Sequence, residues 1–142
     1  MKKIIVIVLL SMFTAMAITV SKAYAYRTSW VYVQARFQNP AKKHFDKYVL
    51  KNLRRHHLTQ DGKLKNFTVY VYKGHKYDPS KLLYKRKVKG NSTDTNFTLY
   101  TGKVYFFIVE MKPGRVIYSG GRSYRVANSW QQWVTVRVPN YR

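Results

Sequence analysis

Apolar and polar positions change period three times along this chain. The first stretch is a single apolar run. Ile4 to Val20 is hydrophobic apart from Ser11, Thr14 and Thr19. Lys2 and Lys3 precede it, and Ala23-Tyr24-Ala25 follows as a small-x-small cleavage site. This is the pattern of an export signal, so residues 1–25 are expected to be removed and 26–142 to form a single domain. The run of about 17 residues lies at the lower limit for spanning hydrocarbon, which favours cleavage over a membrane anchor.

The second pattern is alternation. From Trp30 to Phe37, Val31, Val33, Ala35 and Phe37 take one side, and Trp30, Tyr32, Gln34 and Arg36 take the other. That predicts a half-buried strand. A helical period follows. Asn39-Pro40 suits a helix start, with Asn as N-cap and Pro in the first turn. Ala41, Phe45, Tyr48, Val49 and Leu53 then fall on one arc, with Lys43, Lys47, Lys51 and Arg54 opposite. The spacing predicts an amphipathic helix of four to five turns ending near His57.

Beyond Asn66 the period returns to two. Strands are expected at Phe67–Tyr72, Leu82–Lys89, Phe97–Tyr100, Val104–Met111, Arg115–Ser119, Arg122–Val126 and Trp133–Val138. Val104–Met111 is apolar except for Glu110, as a central strand covered on both faces would be. Gly120-Gly121 reads as a two-residue hairpin turn. The last four strands read as a meander in which sequence neighbours pair. About eight short strands and one helix predict a mainly β, antiparallel sandwich, Ig-like or jelly-roll-like, with a small barrel as the alternative.

Charge then narrows the function. Three of the 27 basic residues (Lys2, Lys3 and Lys22) lie in the leading segment, and all five acids lie beyond it. Residues 26–142 therefore carry 24 cations against five anions, a net charge of +19. Solubility needs only about 2–8 charges in a small domain. A field of this size draws polyanions and anionic membranes before any specific contact forms. The absence of cysteine removes both a disulfide framework and a lipidated thiol.

The predicted polyanion-binding residues are Lys43, Lys47, Lys51 and Arg54 on the helix, and Lys85, Lys87 and Lys89 on one face of a strand. Trp130, Trp133 and Tyr124 are candidate stacking contacts for sugar rings or bases. The expected partner is an anionic polymer, such as a cell-wall polymer, acidic glycan or nucleic acid, or an anionic membrane surface. No small-molecule cofactor is expected. The location is read as secreted, bacterial extracellular or cell-wall associated. A bacteriocin-like or antimicrobial membrane-active effector is the alternative, since attraction to anionic lipid rests on the same charge.

A non-enzymatic protein is expected. No H-E-x-x-H, nucleophile elbow or phosphate loop occurs. A small secreted ribonuclease is the third reading: Arg115-Val116-Ile117-Tyr118-Ser119 loosely resembles the C-terminal strand of barnase-type ribonucleases, and Glu110 offers a base. No histidine follows His75, so the acid is missing where that resemblance would put it. No metal site is expected either: His56-His57 is the closest pair, and adjacent helix positions point about 100° apart.

Overall fold

The alternation after residue 28 forms β1 (Thr28–Phe37), in which Val31, Val33 and Ala35 are fully buried. The computed structural model describes residues 26–38, 46–60 and 62–139; the expected export signal lies outside them. Further along come β2 (Thr59–Gln60), β3 (Lys63–Leu64), β4 (Phe67–Lys73), β5 (Leu82–Val88), β6 (Asp94–Tyr100), β7 (Val104–Met111), β8 (Tyr118–Arg125) and β9 (Gln131–Val138).

These strands make two sheets. In the first, β9 runs parallel to β1 along one edge, Trp30 to Phe37. The other edge of β1 pairs antiparallel with β6 over Thr28 to Gln34, and then with β3 at Arg36. The second sheet is antiparallel, in the order β5-β4-β7-β8. Val33, Val134, Phe97 and Leu99 from the first sheet pack against Val69, Val71, Phe107 and Val109 from the second. The architecture is the expected β-sandwich with one helix. The sheets stay separate, so the barrel alternative is excluded.

Three finer expectations are corrected. The helix α1 spans Lys47–Arg55, about two and a half turns rather than four to five. Asp46 caps it, accepting from the amides of Tyr48 and Val49 while its own backbone stays extended. The predicted start at Asn39-Pro40 lies outside the described residues. Val49 and Leu53 are buried beneath the helix, and Asn52 donates to the Tyr118 hydroxyl.

Second, Gly120-Gly121 is not a turn. The two predicted strands around it are one strand, β8, and the glycines sit in its middle. Their role is close approach. A Cβ on Gly120 would lie 1.9 Å from the Arg137 carbonyl oxygen of β9, so the missing side chain lets the two sheets meet at this corner.

Third, the meander breaks after β8. The chain crosses to the other sheet, where β9 joins β1 in parallel. The hydrophobic alternation of β9 fits either neighbour, and pattern alone does not choose the partner.

Candidate binding surface

The outward face of the first sheet sorts its side chains into bands. Because β1 and β9 pair in register, Trp30, Tyr32, Gln34 and Arg36 lie beside Gln131, Trp133, Thr135 and Arg137 respectively. On the other flank, β6 sets Thr98 beside Trp30, Asn96 beside Tyr32 and Asp94 beside Gln34. Successive residues alternate faces, so these all share the outer one.

The first band is aromatic. Trp133 stacks on Tyr32 with ring centroids 4.6 Å apart and planes 20° from parallel. Trp130, at the entry to β9, brings its ring 6.5 Å from that of Trp30, and the Trp30 amide donates to the Trp130 carbonyl at 3.0 Å. Trp30, Trp130 and Trp133 are 53%, 57% and 48% exposed, and Tyr100 at the edge of the band is 55% exposed. All three tryptophans of the chain therefore sit in water on one face, although such rings are normally among the most buried side chains.

The second band is polar. Gln34 donates to the Thr135 hydroxyl at 2.7 Å. Asp94 lies in this band, and it forms no ion pair among the described residues. The third band is cationic. Lys63, Arg36 and Arg137 are direct cross-strand neighbours on β3, β1 and β9. Arg122 reaches in from β8 and donates to the Thr135 carbonyl at 3.2 Å.

The predicted site residues distribute differently. Lys47, Lys51 and Arg54 are exposed on α1, and Lys43 lies outside the described residues. Lys85 and Lys87 face outward on the second sheet, opposite Tyr70 and Thr68, with Lys85 over the Tyr70 ring. Lys89 is exposed just past β5. The helix row and the strand row thus belong to separate surfaces rather than to one groove. Around them, Lys81–Asp78 at 3.9 Å is the ion pair among the described residues.

Trp130 and Trp133 belong to the aromatic band, but Tyr124 does not. Tyr124 lies on the inward face of β8, packs against the core, donates to the Gln132 side chain at 2.7 Å and carries Arg122 over its ring. Its nearness to the tryptophans in sequence is undone by the crossing between sheets. Trp30 and Tyr32 take its place. Period-two spacing already put both on the solvent side of β1, but only the β1–β9 register brings them to Trp130 and Trp133.

For the ribonuclease reading, Glu110 is on the outer face of β7, opposite Thr68 and directly beside Ser119 of the Arg115–Ser119 stretch. Among the described residues, no group of three His, Cys, Asp or Glu is placed to hold a metal ion, and no helix is long and apolar enough to cross a membrane. Comparison with protein-family models, curated proteins and solved structures gives no match.

Proposed function

We propose that this protein is a secreted, non-enzymatic binding module for anionic ring-containing polymers, with the outer face of the first sheet as its contact surface. The observation that carries this reading is the exposure of Trp30, Trp130 and Trp133 together on a face that ends in arginines. Exposed aromatic planes stack on sugar rings or bases, and each stacked base contributes about 1–3 kcal/mol in proteins built this way. Amide and hydroxyl groups on the same face supply hydrogen bonds to ring substituents. The +19 charge of residues 26–142 steers the polymer to the surface.

The test is retention on dextran sulfate resin and on uncharged dextran resin across a salt gradient. Retention on the sulfated resin alone, lost as the Debye length falls from about 10 Å at 0.1 M to about 3 Å at 1 M, is expected. Earlier elution of a Trp30→Ala/Trp133→Ala variant is also expected. Salt-insensitive retention, or co-elution of that variant with wild type, overturns the reading.

A membrane-active role is the second reading, favoured by the same aromatic band, because tryptophan and tyrosine rings settle at lipid headgroup level. Dye release from anionic vesicles at low salt supports that role in place of polymer binding.

A further inference from the structure

Three cations aligned across a sheet form an unusual arrangement. Arg36 has Arg137 directly beside it on β9 and Lys63 directly beside it on β3. Like charges in such positions repel. Among the described residues no carboxylate forms an ion pair with them: Asp94, two positions away by register, makes none, and Lys81–Asp78 belongs to another part of the fold. The fold adds a further cation instead. The close approach at Gly120 holds β8 against β9, and Arg122 enters the same corner.

Arg36, Arg122 and Arg137, with Gly121 and Thr135, line a cleft of about 400 Å³. Two of the guanidiniums are held in place. Arg122 is fixed by the Thr135 carbonyl at 3.2 Å, and Arg137 by the Phe37 carbonyl at 2.9 Å. Each bond uses one of the five N–H donors of an arginine, which leaves most of the fork for an acceptor. Rigid, charged and donor-rich, this is how proteins recognise oxyanions.

We propose that the three-arginine cleft binds a tetrahedral oxyanion with three terminal oxygens, a sulfate or phosphate monoester group. Three arginines that line one cleft from different strands suit acceptors spread over a pyramid. A planar carboxylate offers two oxygens in one plane and leaves one fork unmatched. Arg36 lies four residues along β1 from Tyr32, so the cleft and the aromatic stack are about 13 Å apart. One polymer bearing such groups on its rings spans both. That clause rests on the binding-module reading above; the cleft itself does not.

The experiment compares dextran sulfate with carboxymethyl dextran of equal charge density, binding to the purified protein at fixed salt. In parallel, inorganic sulfate, inorganic phosphate and acetate are titrated while the arginine Nε–H signals are followed by NMR. Dextran sulfate is expected to bind the more tightly, and Arg122→Gln or Arg137→Gln to weaken it about tenfold or more, as expected for lost hydrogen bonds between charged groups. Arg36→Gln removes one guanidinium from the cleft while leaving the Arg122 and Arg137 hydrogen bonds in place. Equal binding of the two polymers, or an unchanged affinity in Arg36→Gln, overturns the oxyanion site and leaves polymer binding standing. Should neither polymer bind, the module reading falls, and the small anions judge the cleft. Signals of Arg36, Arg122 and Arg137 moved by sulfate or phosphate but not by acetate uphold it; unmoved signals overturn it. The stronger of these two anions names the group.

Discussion

Gly120 of β8 lies so close to the main-chain carbonyl of Arg137 in β9 that the two sheets touch there through backbone. Neither side of that contact is able to yield by rotating a side chain. Gly120→Ala is therefore expected to cost about 3 kcal/mol, the upper part of the usual range for overpacking. Gly121 is a useful contrast, because a Cβ there would clash with the tip of the Phe106 ring at 2.8 Å and would meet backbone, the Phe107 carbonyl oxygen, at an ordinary 3.6 Å. Urea unfolding of both variants checks the ranking, and an equal loss would contradict the backbone contact.

The aromatic band makes a second prediction. Trp133 both stacks on Tyr32 and stands half in water. Removing a stacking ring from a binding surface costs about 1–3 kcal/mol of affinity. Trp133→Ala should therefore weaken dextran sulfate binding about fivefold or more, while loss of the Tyr32 stack costs about 1 kcal/mol of folding stability. Titration calorimetry and urea unfolding on the same samples separate the two effects.

Salt dependence distinguishes the cation groups. Each polymer charge neutralised by the protein adds about one to the slope of log K against log salt. Arg36→Gln should lower that slope by about one. Lys85→Gln, on the outer face of the other sheet, should leave it close to wild type.

Helix α1 offers a stability test apart from the binding surface. The Asp46 carboxylate accepts from the amides of Tyr48 and Val49 at 2.9 and 3.3 Å. Asp46→Ala should destabilise the protein by about 1 kcal/mol, the usual cost of a lost N-cap. Asp46→Asn should recover most of it, as measured by the urea midpoint.

Alkaline pH acts through two tyrosines. Burial, followed by the neighbouring Tyr77, Tyr70 and Glu110, raises the pKa of the Tyr72 phenol. Burial also raises that of Tyr105, against the opposing effect of the hydrogen bond accepted from the Tyr100 amide. A folded pKa above the unfolded one gives stability that is complete below about pH 10 and is lost as pH rises through the folded value. Tyr72→Phe removes one such group and keeps the ring that meets Tyr77. The urea midpoint of wild type, measured from pH 9 to pH 11, should fall more steeply than that of Tyr72→Phe.

Much of this fold is legible in residue spacing, and the exceptions have physical causes. Val31, Val33 and Ala35 declare the inner face of β1, and Phe67, Val69 and Val71 that of β4, because period two and burial coincide there. The strand β5 declares less. Leu82 to Lys87 are all exposed at the sheet edge, and the inward Arg86 covers the Phe97 ring instead of avoiding the core. Glycine spacing does not tell a turn from a close approach, which is why Gly120-Gly121 reads as a hairpin. The charge of the chain is visible in composition, but its grouping is not. Arg36 and Arg137 are 101 positions apart, and only the parallel β1–β9 register makes them neighbours. The same register gathers Trp30, Tyr32, Trp130 and Trp133, so the surface depends on a pairing that no local pattern encodes.

The most direct test is an NMR titration of the isotope-labelled protein with dextran sulfate, following the three tryptophan indole N–H signals and the backbone amides of α1. The account predicts that the indole signals of Trp30, Trp130 and Trp133 move together, and before the amides of Lys47, Lys51 and Arg54. Shifts confined to α1, with all three indoles unmoved at saturation, would contradict it.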